Sequence, residues 1–227
     1  MRLLSGRPAI IIAAVVAAVV AVLVASTLIG TRAGGGYRYH PAAAHQAAAS
    51  PAAAPPPATA KKRVSPLNSA GKVAAPYKVV TAGDGYCWTS SFVNGRLYRC
   101  FEGNSILDPC WKQPGRAAVV CLPRPWSTHA VRVRLHRPLP PTNTTGPSLW
   151  GLRLGKVGVN CLVSMGASGT VGGQPVSFLC EHHWVLLGTA PDERQPVWSM
   201  ATARWGGHHY RRHGTQPLTT SWVAVLP

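Results

Sequence analysis

The chain is 227 residues long, and 23 Lys+Arg against 6 Asp+Glu give it a formal charge of +17. Its six carboxylates, Asp84, Glu102, Asp108, Glu181, Asp192 and Glu193, leave few side chains for acid–base catalysis. There is no P-loop and no dinucleotide-binding glycine fingerprint, and GGG at 34–36 does not sit between a strand and a helix.

Residues 1–9 form a short head that carries Arg2 and Arg7. The run Ile10–Ile29 that follows contains no charge, no Pro and no Gly. At ~1.5 Å per residue, a helix of this length spans the ~30 Å hydrocarbon core of a bilayer. The basic head predicts an N-terminus retained in the cytoplasm, with everything after the run outside. The expectation is a single-pass anchor in the cell membrane. The alternative is a cleaved secretory signal and a secreted protein, with Val24 and Ser26 or Thr31 and Ala33 as the small residues before the cut. No Cys follows the run, which excludes a lipid-modified cysteine anchor.

Residues 30–76 read as a flexible linker. They hold GGG, AAAHQAAAS, PAAAPPPATA and the basic cluster Lys61-Lys62-Arg63, with no apolar period. Parts of this stretch favour polyproline II, so it reads as a spacer that carries the next domain away from the bilayer. Residues 1–78 contain nine basic and no acidic residues, while 79–227 contain fourteen and six, so both parts are basic.

Residues 77–227 hold every Trp and Cys and suffice for one hydrophobic core. Strand signals dominate. In AVRVRLH at 130–136, Val131, Val133 and Leu135 face one way while Arg132, Arg134 and His136 face the other. LWGLRLG at 149–155 and SWVAVL at 221–226 behave alike. Turns are expected at GDG 83–85, Asn94-Gly95, Asp108-Pro109, 138–147 and 169–173, with a tight positive-φ hairpin at Asn94-Gly95. Short helices are conceivable only near Asn104–Leu107 and Pro191–Gln195. The pattern predicts a mainly β fold: a single disulfide-stapled β domain, sandwich or barrel-like.

Six cysteines, Cys87, Cys100, Cys110, Cys121, Cys161 and Cys180, form an even set on an exported domain and read as disulfides. Six cysteines permit fifteen pairings. Sequential pairing is expected, because Cys87 and Cys100 flank Asn94-Gly95, Cys110 and Cys121 enclose Pro114-Gly115, and Cys161 and Cys180 flank a Gly-rich segment. A two-residue turn at Asn94-Gly95 would set Cys100 opposite Thr89, so the first pair requires a bulge or a longer loop.

The order CW-x(11)-C, EGNSILDPCW, VVCLPRPW, a basic alternating strand, WGLRLG-x(5)-C and QPVWSM resembles an uncharacterised extracytoplasmic domain. That domain occurs in secreted and membrane-anchored proteins of high-GC Gram-positive bacteria. Gly103, Asn104, Asp108, Pro109 and Cys110 carry the resemblance, which covers roughly residues 84–205. It implies an exported, disulfide-bonded domain and no catalytic residue.

Chemistry is sparse. A glycosidase needs two carboxylates facing each other across a cleft; Glu102 and Asp108 are the nearest candidates, each with a structural reading as a local partner or turn residue. GASGT at 166–170 lacks the second Gly of a nucleophile elbow. Glu181-His182-His183 and His208, His209 and His213 match no metal-binding spacing, so no metal or cofactor is expected. The charge alone would suit nucleic acid, but an exported location argues against it. The expected function is non-enzymatic binding or sensing of an anionic envelope component. The binding residues are Arg132, Arg134, His136 and Arg137, with Arg124, Arg153 and Lys156 as neighbours. An envelope-polymer hydrolase and a structural protein-binding domain are the alternatives.

Overall fold

A computed structural model describes residues 54–146, 148–166 and 168–227. The head, the Ile10–Ile29 run and the linker up to residue 53 lie outside these described residues. Among the described residues no helix is long and apolar enough to cross a membrane.

The first strand, β1 (Ala60–Val64), lies within the stretch expected to be linker. It pairs in parallel with the C-terminal strand, from Ala60 opposite Thr220 to Val64 opposite Ala224. Val64 and Leu67 are buried. The Thr59 hydroxyl donates to Leu218 O at 2.7 Å and accepts from the Trp198 N–H at 2.9 Å. The folded unit therefore begins before Tyr77. Local patterning misses this strand because a partner some 160 residues away supplies its hydrogen bonds.

Next come β2 (Lys78–Ser90), β3 (Tyr98–Glu102), β4 (Ser105–Lys112), β5 (Ala118–Cys121) and β6 (His129–Leu135). They close into a five-stranded barrel, with β2 and β6 running parallel at the seam. The alternation expected along β6 holds. Val133 is fully buried in this barrel with Val131 and Leu135 packed beside it, and Arg132 and Arg134 project outward. GDG at 83–85 is not a turn but part of β2. A Cβ on Gly85 would lie 2.1 Å from Phe101 O and 2.5 Å from Val133 Cγ1, so glycine allows the strands to approach there. Asp108-Pro109 likewise lies inside β4, where the register against β3 slips.

A second barrel follows, made of β7 (Leu149–Leu154), β8 (Asn160–Val163), β9 (Thr170–Val171), β10 (Gln174–Cys180), β11 (Trp184–Leu187), β12 (Ser199–Trp205) and β13 (Tyr210–Ala224). β7, β8, β10, β11, β12 and β13 pair in that order, and β13 returns to β7 to close the ring. The short β9 folds back on β10 through Gly172 and Gly173, both at positive φ, at the turn expected there. The helical element among the described residues is one 3-10 turn, Glu181–His183, and neither conceivable helix forms. Thus the expected single β domain is one unit, Ala52–Pro227, built from two barrels.

A shared core joins the barrels. Trp111, Val120 and Leu122 of the first pack with Val64, Trp150 and Trp222 of the second. Trp111 and Trp150 stand 6.2 Å apart by ring centroid, and the Trp111 indole donates to Val225 O at 2.8 Å. Each large side chain removed from water here contributes about 1.5–3 kcal/mol.

The cysteines pair sequentially, as expected: Cys87–Cys100, Cys110–Cys121 and Cys161–Cys180. Each bridge joins residues directly opposite on neighbouring antiparallel strands. The bulge the first pair requires is present, because Cys87 opposes Cys100 while Thr89 opposes Arg99, leaving Trp88 as the extra residue. Three bridges suit an oxidising, extracytoplasmic compartment.

Candidate functional site

The most distinctive surface of the first barrel follows from Cys87. Its side chain turns inward to the disulfide, so Asp84, Tyr86 and Trp88 turn outward. The bulge leaves Trp88 free of a cross-strand partner, a common way to re-aim a side chain. On β3, Phe101 stands opposite Tyr86. The rings then meet in a row. Tyr86 and Phe101 are 5.5 Å apart by centroid, and Phe101 and Trp88 stack at 4.2 Å.

Cations cap this row at both ends. Arg137 lies 4.5 Å from the Tyr86 ring centroid, and His136 meets the same ring edge-on at 5.7 Å. At the other end Arg99 lies 5.2 Å from Trp88 and 4.2 Å from Phe92. The order is Arg137, Tyr86, Phe101, Trp88, Arg99, Phe92. Ring faces carry the negative lobe of the aromatic quadrupole and ring edges the positive one. Stacking and cation contacts occupy ring faces here, with Arg137 at the open end of the row and Arg99 buried at the other. Trp88 and Phe92 remain 38% and 59% exposed.

Arg99 is only 9% exposed. Its guanidinium reaches Met165 O at 3.4 and 3.5 Å, and its Nε has no hydrogen-bond partner. It attracts Asp108, which is 1% exposed. Asp108 accepts from the Ser91 hydroxyl and from the Phe92 N–H at 3.3 Å, so it fixes the turn that presents Phe92. Burial pushes the Asp108 carboxyl up to about 6, against the lowering effects of Ser91, Phe92 and Arg99. Asn94 continues the turn. It is buried, and its amide donates to Ala224 O at 2.9 Å. Neither Asn94 nor Gly95 adopts positive φ, contrary to the expected hairpin. Gly95 is needed for space, since a Cβ would fall 1.5 Å from Asn143 Oδ1.

The four sequence-predicted binding residues divide into two pairs. His136 and Arg137 join the aromatic row. Arg132 and Arg134 are already engaged. Arg132 donates to Gln113 Oε1 at 3.0 Å, and Arg134 pairs with Asp84 at 2.9 Å. Both partners of that pair are well exposed, so it adds at most about 1 kcal/mol, but it cancels the local charge. Arg153 lies on β7 of the other barrel and donates to Asn160 Oδ1 at 2.9 Å. Sequence reasoning missed Tyr86, Trp88, Phe92, Arg99 and Phe101. The readable signal was the inward Cys87 between Tyr86 and Trp88.

Glu102 and Asp108 serve as local acceptors. Glu102 accepts from the Gly83 N–H at 3.2 Å, and Asp108 is committed as above. Neither lines the open cavity of about 410 Å³ beside β8 and β10, whose one carboxylate is Glu193. Nor do they line the groove of about 400 Å³ where Lys62, Arg63 and Trp222 meet Tyr77 and Trp126. Burial there pushes the Tyr77 phenol up. Among the described residues, the one group of potential metal ligands at close quarters is Cys100, Cys110 and Cys121, whose sulfurs are held in two bridges. Glu181 accepts from the Asn160 N–H at 3.0 Å.

Comparison with protein-family models, with curated proteins and with solved structures finds no match, so the resemblance around Glu102–Trp111 rests on its motif alone.

Proposed function

We propose that the chain is a membrane-anchored extracytoplasmic protein whose β unit binds an anionic component of the cell envelope without transforming it. The observation that carries this reading is the cation-capped aromatic row, with Arg137 and His136 at its open end. Arg137 beside this row attracts a polyanion to its open end, and clustered cations act together where single ones do little. The three disulfides favour the exported location, and the apolar run Ile10–Ile29 supplies the tether.

The test measures retention of the protein on an acidic and on a neutral polymer at two salt concentrations. Retention on the acidic polymer should fall steeply as the Debye length shrinks from ~10 Å at 0.1 M to ~3 Å at 1 M. Arg137→Glu should weaken it, whereas Arg134→Gln, which removes an already neutralised cation, should change it little. Equal retention on both polymers, or an unaltered Arg137→Glu variant, overturns the proposal.

A further inference from the structure

The β12–β13 hairpin of the second barrel presents a different surface. Its tip spans Trp205 to Tyr210, turning through Gly206 and Gly207, the latter at φ +95°. Trp205 is 40% exposed and meets Tyr210 edge-on at 5.1 Å. Arg204, Arg211 and Arg212 flank these rings, and His208 and His209 occupy the turn between them. Among the described residues, the salt bridges are Lys61–Glu193, Arg134–Asp84 and Arg194–Asp192, so no carboxylate answers the charge at this tip. Arg212 finds a neutral acceptor in Gln174 Oε1 instead. Leu179, 54% exposed, lines the same hollow as Tyr210 and adds apolar surface.

From this arrangement we infer that the hairpin tip docks on the surface of an anionic lipid bilayer. Three features point to that occupant. Trp and Tyr are the side chains whose amphipathic rings settle at the headgroup level. The arginines around them are unneutralised and complement acidic headgroups. Tyr210 packs against the core of Val171, Val176 and Ala203 and so anchors the tip, which leaves Trp205 as the ring free to enter the headgroups. An acidic polysaccharide would answer the charge but would not require exposed rings on a projecting turn. The site is separate from the aromatic row of the first barrel and does not depend on the function proposed for that row.

The experiment uses residues 54–227, which contain both barrels and all three disulfides, so that Ile10–Ile29 cannot mask the result. Sedimentation is measured with phosphatidylcholine vesicles and with vesicles containing phosphatidylglycerol. Binding should be confined to the second and should fall with salt. Replacing Arg211 and Arg212 together by Gln should cut the partition coefficient about 30-fold, the equivalent of ~1 kcal/mol per arginine near an acidic surface. Trp205→Ala should also weaken binding, while Trp205→Phe should retain most of it and lose the quenching of tryptophan emission by brominated acyl chains. Melting temperature and non-reduced mass confirm that each variant is folded. Equal binding to both vesicles, no binding to either, or full binding by folded Trp205→Ala overturns the inference. So does loss of vesicle binding in Arg137→Glu with the tip variants unaffected, which would assign the vesicles to the aromatic row. Failure of the tip variants to affect vesicles leaves retention of acidic polymer by the first barrel as it was.

Discussion

Asp108 gives the sharpest energetic prediction. Burial pushes its carboxyl up to about 6 in the folded protein, from an ordinary 3.8. Between those values the native state holds a proton that the unfolded chain has released. The contribution of this group is therefore fully present below about pH 4, is lost as pH rises through 6, and is constant above that. A shift of about two units corresponds to ~3 kcal/mol. Asp108→Asn removes the titration and keeps an oxygen to accept from the Phe92 N–H. Guanidinium chloride unfolding of residues 54–227, without reductant, at pH 4 and pH 8 reads the difference. The wild type should lose about 2.5 kcal/mol more between those pH values than the variant does, because every other titrating group is common to both. An equal pH response in the two proteins, or a steeper one in the variant, would show that Asp108 does not carry a raised pKa and would refute the reasoning.

Other outcomes follow from packing and covalent structure. Leu67→Ala should cost about 2–5 kcal/mol in denaturant unfolding, as for any large-to-small core change, whereas a residue in a passive spacer would cost nothing measurable. Non-reduced peptide mapping should recover Cys87–Cys100, Cys110–Cys121 and Cys161–Cys180, and replacing Cys161 and Cys180 together by Ala should destabilise the unit by ~3 kcal/mol. Reporter fusions after Gly36 should be active only outside the cytoplasm, with Met1 or Arg2 retained at the N-terminus; a mature protein starting near Thr27 or Gly34 would show a cleaved signal instead.

Features set by neighbours in sequence were legible. Strict alternation placed Val131, Val133 and Leu135 inward, and cysteines flanking turns paired across those turns. The bulge at Trp88 was implied by the offset of Cys100 from Asn94-Gly95. Features set by distant partners were not legible. The Lys61-Lys62-Arg63 cluster shows no strand period, yet it pairs with residues 221–223. The parallel seam of β2 and β6 joins segments with three strands, β3, β4 and β5, between them, and it closes the first barrel. Charge density was readable at 132–137, but its partition was not. Neutralisation of Arg134 depends on Asp84, fifty residues earlier, which only the seam brings alongside. The aromatic row was overlooked because Trp usually fills cores, and five of the tryptophans here do so within the two largest clusters' buried sets alone: Trp111, Trp150, Trp184, Trp198 and Trp222.

The final strand also imposes an order of assembly on a chain delivered N-terminus first. β2 to β6 lie within residues 78–135, so the first barrel can close as soon as that stretch has emerged. The second cannot. β13, ending at Ala224, supplies the closing partner of β7, the other edge of β12 and, among the described residues, the only partner of β1. Until it arrives, Trp111, Val120 and Leu122 on the finished barrel lack the Trp222 side of their shared core, and β1 has nothing to pair with. Closing the second barrel, covering the apolar face of the first and pairing β1 thus all await the same fifteen-residue strand.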